Sequence, residues 1–326
     1  MSSNSQHLAT STNIPENTPA NSQAFQRPYI GRYAPSPTGR LHLGNLRTAL
    51  LAWLHARLHK GQFLLRMDDL DTPRVVPGSA EQIVQDLQWL GLDWDGEIEW
   101  QSQQQTRYQT TLTTLQQQGL VYPCFCSRKD IQQAASAPHG KTAVYPQTCR
   151  NLTAFAQAER AQQKQAALRL QVAGEIAFTD GIFGPQTEDM SADCGDFIVK
   201  RADGLFAYQL AVVLDDAAQG VTDVLRGADL LHVTGRQAWL HELLGFTVPQ
   251  YWHVPLLLDK QGQRLSKRDG SESLAQWQAQ GKTSEQVIAC LVHSIGLFKS
   301  TPAMSANELL EALTLTQLLD HLRKLN

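Results

Sequence analysis

The chain has 326 residues, 42% hydrophobic and 18% charged, enough to bury a large core as two domains or one large α/β domain. Its formal net charge of −3 excludes a uniformly basic nucleic-acid coat and leaves room only for a local basic patch. No run approaches the ~18 apolar residues of a membrane span, the N-terminus lacks signal-peptide order, and the five cysteines do not suggest a disulfide framework, so a soluble cytoplasmic protein is expected.

Residues 1–27 are Ser, Thr, Asn, Gln and Pro without apolar periodicity, which predicts a disordered tail. From Pro28 the pattern changes. "PYIGRYAP" reads as a short strand, "LRTALLAWLHARLH" carries Leu46, Leu50, Trp53, Leu54 and Leu58 at helical spacing, and "GQFLLRMDD" reads as a second strand. This β-loop-α-β order implies a parallel pair with a right-handed crossover, and so an α/β Rossmann-type parallel-sheet catalytic domain. Its first half is placed at 28–107. A segment rich in Cys, Gln and turns, 108–195, looks inserted. The second half, 196–258, contains "GLFAYQLAVVLDDAAQGVTDVLRG" and the strand opening "YWHVPLLLDKQGQRLSK". Residues 259–326 hold a lysine loop and a short helical C-terminal region with patterns at "SEQVIACLVHSIGLF" and "SANELLEALTLTQLLDHLRKL".

"RYAPSPTGRLHLGNLRTAL" is a Pro/Gly-stiffened loop feeding a helix N-terminus, where backbone N–H groups and the helix dipole together suit a phosphate. Gly39 and Gly44 let a ligand approach the backbone, and His42 and Asn45 flank it. By itself such a loop is most often a tight connection, and it matches neither the dinucleotide fingerprint nor a P-loop. "RLSKRDG" at 264–270 is, by itself, a solvated basic loop.

Together, "HLGN" and "RLSKR" resemble the paired HIGH and KMSKS signatures of class I aminoacyl-tRNA synthetases. "RMDDLDTPR" and "FAYQLAVVLDDAAQGVTDVLRGADLL" narrow the resemblance to the glutamyl and glutaminyl branch, from about Tyr29 to Lys267. Only 59 residues follow Lys267, too few for an anticodon-binding half, and this resembles the truncated glutamyl-queuosine tRNA(Asp) synthetase family. The resemblance implies a ligase that joins L-glutamate to ATP, without needing tRNA. It then transfers the glutamyl group to queuosine at the wobble position of the tRNA(Asp) anticodon stem-loop. Mg²⁺ is implied, as are the absence of a membrane and a monomeric state. The alternative is charging of the tRNA 3′ end in the manner of glutamyl-tRNA synthetase.

No protein nucleophile is required, so catalysis comes from positioning and charge neutralisation. The resemblance assigns catalysis to His42 and Lys267 and ATP binding to His42, Gly44, Asn45, Ser266 and Lys267. It assigns glutamate binding to Arg32, Tyr33, Ala34, Pro35, Ser36, Asp68, Tyr208 and Arg226. Arg226 or Arg32 would hold the side-chain carboxylate and Asp68 would face the ammonium. The chain departs from the family in two places. Asp68 stands where relatives carry Glu, one methylene longer, and the lysine loop reads Arg-Leu-Ser-Lys-Arg, which keeps Ser266 and Lys267.

In the insert, "CFC" at 124–126 and "YPQTC" at 145–149 cluster three cysteines, which suggests one structural zinc bound by Cys124, Cys126 and Cys149. Coordination chemistry alone favours His139 as fourth ligand, whereas the resemblance aligns Tyr145. Cys194 and Cys290 read as core thiols.

Overall fold

The computed structural model describes residues 27–127, 129–131, 144–256, 274–298 and 302–325. Residues 1–26 of the expected tail, His139, Ser266 and Lys267 lie outside the described residues.

Strand β1 (Ile30–Tyr33), helix α1 (Leu43–Leu58) and strand β2 (Gln62–Met67) follow the expected order, and β1 pairs with β2 in parallel. Next come α2 (Ser79–Trp89) and the two-residue β3 (Glu99–Trp100), then α3 (Gln105–Gln117) and β4 (Val121–Cys124). They are followed by α4 (Ala154–Gln163), β5 (Ala167–Leu170), β6 (Glu175–Asp180), β7 (Gly184–Asp189) and β8 (Phe197–Lys200). After α5 (Tyr208–Ala218) the chain runs through β9 (Asp223–Gly227), α6 (Thr234–Leu243) and β10 (Gln250–Val254). Four helices follow, α7 (Leu274–Ala279), α8 (Ser284–His293), α9 (Ala306–Ala312) and α10 (Leu315–Lys324).

The main sheet has five strands in the order β10-β9-β1-β2-β3, every pair parallel. The chain leaves central β1 towards β2 and β3, then returns on its other side through β9. This reversal opens a crevice at the carboxyl ends of the strands. A second sheet, β4-β5-β8, is antiparallel, and β6 and β7 form a separate hairpin.

Side-chain alternation along β2 sends Phe63, Leu65 and Met67 into the core around α1. Leu64 packs into the other core, which contains α5. Helix α1 buries more than residues at that helical spacing, because Ala49, Leu51, Ala52 and Ala56 are buried as well as Leu46, Leu50, Trp53 and Leu54. The cause is at the C-terminus: Val287, Ile288, Leu291 and Leu309 of α8 and α9 belong to the same core and cover the outer side of α1. Cys194 is buried, but Cys290 is exposed, since α8 buries Val287, Ile288, Leu291 and Val292 and turns position 290 outward. The C-terminal pattern from 305 is two helices rather than one, because Thr314 leaves the helical conformation and caps α10 with Gln317.

Candidate functional site

The loop joining β1 to α1 is stiff for identifiable reasons. Pro35 and Pro37 restrict φ, the Asp68 N–H donates to the Pro35 carbonyl at 3.0 Å, and the Val76 N–H donates to the Pro37 carbonyl at 2.9 Å. At its turn Gly39 has φ +121°, and Ser79 clasps it by accepting from its N–H at 3.0 Å and donating to its carbonyl at 2.8 Å.

His42 caps α1. Its Nδ1 accepts from the Gly44 and Asn45 N–H groups at 3.1 and 3.3 Å, and the Asn45 side chain accepts from the His42 N–H at 3.3 Å. A neutral imidazole that accepts at Nδ1 carries its proton on Nε2, beside the positive end of a 16-residue helix. No acidic residue occupies the first turn. A Cβ at Gly44 would lie 3.0 Å from His42 Cε1, which explains the glycine beneath the ring.

One cleft of about 790 Å³ lies at the carboxyl ends of β1, β2 and β9. It brings together Arg32, Tyr33, Ala34, Pro35, Ser36, His42, Gly44, Asn45, Asp68, Tyr208 and Arg226, which span almost 200 residues of sequence. Leu256, just past β10 and the last described residue before the lysine loop, lines the same cleft.

Alternation along adjacent strands places Arg32 of β1 and Arg66 of β2 against α5. Arg32 donates through Nε and Nη2 to Asp216 at 3.1 and 3.2 Å. Arg66 donates to Asp216 at 2.7 Å, to Asp68 at 2.9 Å and to Gln219 at 2.9 Å. All four charged groups are buried, two of each sign, so the network is neutral as a unit. Burial alone would raise the Asp216 carboxyl, but Arg32 and Arg66 hold it well below the usual carboxylate range. For Asp68 burial prevails over the Arg66 contact and pushes the carboxyl up to about 6. Because Asp216 takes the Nε–Nη2 edge of Arg32, that fork is not free for a second carboxylate.

Arg226 is differently placed. Its Nε donates to His253 Nε2 at 3.0 Å and its Nη2 to Thr234 Oγ1 at 2.8 Å, while Nη1 is buried and finds no partner among the described residues. Tyr208, the first residue of α5, is 38% exposed and stands at the cleft wall. Asp69 turns away: its carboxylate accepts from the Ser102 N–H and hydroxyl at 2.8 and 2.6 Å.

Arg40, Arg47 and Arg74 also line the cleft, a local cationic surface on a chain of negative net charge. Arg47 is buried, donates to the Pro255 carbonyl, and is lowered by burial to about 10.

Neither Arg66 nor Asp216 stands out in the sequence as a site residue, yet a signal is there. Period-2 alternation puts Arg32, Arg66 and Arg226 at inward positions of three strands, and buried cations require anions. "LDD" near the C-terminal end of α5 sets two acids against the helix dipole, which also calls for cationic partners.

In the second sheet's neighbourhood, the Sγ atoms of Cys124, Cys126 and Cys149 lie within 4.8 Å of one another, the one such cluster among the described residues. Tyr145 Oη is 3.4 Å from Cys124 Sγ and 3.7 Å from Cys126 Sγ, and Cys126 and Cys149 are 3.6 Å apart. A tetrahedron with Zn–S bonds of about 2.3 Å has edges of about 3.8 Å, so four donors at these separations fit one zinc ion. Arg169 donates to Cys124 Sγ at 3.2 Å and stacks 3.8 Å from the Tyr145 ring centre, offsetting the charge of a thiolate set.

Among the described residues no helix is long and apolar enough to cross a membrane. Residues 30–325 match the family described as tRNA synthetases class I (E and Q), catalytic domain. The chain is similar to "Glutamyl-Q tRNA(Asp) synthetase" of Nocardia farcinica, with 54% identity over 82% of this chain and 85% of that protein. The protein of the same name from Symbiobacterium thermophilum is 48% identical over 88% of this chain and 93% of its own. Among solved structures, a glutamate tRNA ligase from Elizabethkingia meningosepticum in complex with its amino acid superposes with TM-score 0.74 at 26% identity, over 89% of this chain and 65% of that one.

Proposed function

The chain belongs to the glutamyl-Q tRNA(Asp) synthetases, class I tRNA synthetases of the E and Q type, and is a ligase of that kind; on that premise we propose that it activates L-glutamate with ATP and transfers it to queuosine in tRNA(Asp). The observation that supports the activation half is the cleft, lined both by the α1 N-terminus and by Arg226 with its unpartnered Nη1.

In the first step a glutamate α-carboxylate oxygen attacks the α-phosphorus of ATP, the bond to pyrophosphate breaks, and glutamyl-adenylate forms. His42 Nε2–H and the α1 N-terminus face the phosphates, and Lys267 neutralises the departing pyrophosphate. Mg²⁺ supplies further phosphate neutralisation as ATP's counter-ion. Arg226 receives the side-chain carboxylate through Nη1, and Asp68 receives the ammonium. In the second step a hydroxyl of the queuosine cyclopentene diol attacks the activated carbonyl and AMP leaves. The name shared by relatives of 48% and 54% identity supports this acceptor.

Radiolabelled glutamate should enter queuosine-containing tRNA(Asp) even after its 3′ adenosine is trimmed, and should not enter tRNA(Asp) from cells unable to make queuosine. Labelling that requires the 3′ adenosine and ignores queuosine establishes charging of the 3′ end instead.

Protonating Asp68 removes the ammonium's counter-charge. With its carboxyl near 6, kcat/KM for glutamate in pyrophosphate exchange should be flat above about pH 7 and fall about tenfold per pH unit below 6. Asp68→Asn should flatten this limb at a low plateau; a full-height profile that stays flat to pH 5 removes Asp68 from ammonium binding.

Zinc would be held by Cys124, Cys126, Cys149 and Tyr145, where it ties a small cluster of side chains together at a distance from the chemistry. About one zinc per chain is expected by elemental analysis. Cys149→Ser should lose the metal and local protease resistance before it loses glutamate activation. Full zinc content in Tyr145→Phe excludes the tyrosine as a required ligand.

A further inference from the structure

Arg226 is held by groups that are themselves held. Across the imidazole from the Arg226 contact, His253 Nδ1 donates to Asp180 Oδ2 at 2.6 Å. A guanidinium has five donors and no acceptor, so His253 Nε2 must offer it a lone pair and the ring proton must sit on Nδ1. That proton needs an acceptor at a fixed place. Asp180 supplies it, and Arg226, His253 and Asp180 are all buried. A ring that accepts at Nε2 from Arg226 is neutral, and burial, with Arg226 adding to it, lowers the His253 pKa further than the Asp180 bond raises it.

Asp180 does not belong to the five-stranded sheet. It ends β6, and its Oδ1 accepts from the N–H groups of Ile182 and Phe183 at 3.0 and 2.8 Å, folding the hairpin turn around the carboxylate. The turn is pressed onto β10: the Gly181 N–H donates to the Tyr251 carbonyl at 2.8 Å, and a Cβ at Gly181 would lie 2.0 Å from the Trp252 ring. Only glycine allows this approach, which sets the reach from Asp180 to His253.

We propose that Asp180 and His253 are positioning residues that fix Arg226 as a donor-only receptor for a side-chain carboxylate, so that the β6–β7 hairpin sets the preference for glutamate over glutamine. Thr234 completes the arrangement. It donates to the Leu230 carbonyl at 2.9 Å, leaving its oxygen to accept from Arg226 Nη2 at 2.8 Å. With both its Nε and Nη2 engaged, Arg226 turns the unpartnered Nη1 to a ligand. A glutamine amide needs an acceptor for its NH₂ group. The His253 Nε2 lone pair, the acceptor beside Arg226 Nε, already serves Arg226 and lies 3.1 Å from Thr234 Oγ1, so it is not open to an amide NH₂.

This rests on the glutamate reading of the cleft, and the test separates the two. Asp180→Asn keeps the Oδ1 acceptor for the turn but sets an NH₂ group against His253 Nδ1, favouring the Nε2–H tautomer, whose proton meets the Arg226 N–H. In pyrophosphate exchange its KM for glutamate should rise about tenfold or more, with kcat and the KM for ATP changed less than about threefold. The glutamate-to-glutamine ratio of kcat/KM should fall. Asp180→Glu, which restores a carboxylate, should recover part of the loss. In the unaltered enzyme the imidazole ¹⁵N resonances of His253, assigned by their loss in His253→Gln, should report the Nδ1–H tautomer. An Nε2–H tautomer there, or an Asp180→Asn variant with unaltered glutamate KM and selectivity, overturns the proposal. If the unaltered enzyme shows no glutamate-dependent exchange, the glutamate reading itself is overturned and the proposed selectivity with it.

Discussion

Lys267→Ala should lower glutamate-dependent pyrophosphate exchange by about 10²-fold or more while changing the KM for glutamate little. The expected size follows from where charge develops. As the α-phosphorus accepts the carboxylate oxygen, negative charge accumulates on the departing pyrophosphate, and a preorganised cation there acts on the transition state more than on bound substrates. His42, the first residues of α1 and Leu256, the last described residue before "RLSKR", all line the one cleft. The residues proposed to hold glutamate, Asp68 just after β2 and Arg226 in β9, lie outside the lysine loop, so glutamate binding should survive the substitution. An undiminished exchange rate in this variant would remove Lys267 from the mechanism.

Arg226→Ala should cost kcat/KM for glutamate about 10²- to 10³-fold, mostly through KM. Truncating one partner of a buried, hydrogen-bonded charge pair costs about 2–5 kcal/mol, and here the substitution also strips His253 Nε2 and Thr234 Oγ1 of their donor. Arg226→Lys should fall between the two enzymes, since an ammonium restores charge but not the three-way fork. The KM for ATP should not move. Equal losses for Arg226→Ala and Arg32→Ala in glutamate KM alone would contradict the division of labour in which Asp216 occupies the Arg32 fork.

The β1-loop-α1-β2 unit was legible because its signals are local: Pro35 and Pro37, a helical apolar run, and an alternating strand lie within about 40 residues. The cleft residues came from resemblance, since alternation marks Arg226 as inward without saying what it meets and no local property sets Tyr208 apart. What holds them was not legible. Arg32 and Arg66 reach Asp216 across 184 and 150 residues, and Asp180 reaches His253 across 73, distances over which pattern carries no pairing information. The covered outer side of α1 was hidden for the same reason, its cover being supplied by α8 and α9 at the far end of the chain. The cysteine cluster was legible as a set of donors from spacing, but the approach of Tyr145 to within 3.7 Å of two of them required the fold.

The shared carboxylate of Asp216 also has a consequence for synthesis on the ribosome. Strands β1 and β2 emerge early, and the arginine of each donates to an acid made 150 residues or more later, although Arg66 also has Asp68 two residues away. Leaving a buried charge without its partner costs about 3–5 kcal/mol, comparable to the whole stability of a small domain. Nascent chains that end before α5 therefore lack the anion that Arg32 donates to and one of the two carboxylates that Arg66 donates to. The long stretch between β2 and α5, with its own cysteine cluster and antiparallel strands, has that interval in which to fold before the two halves of the sheet clasp around the arginines.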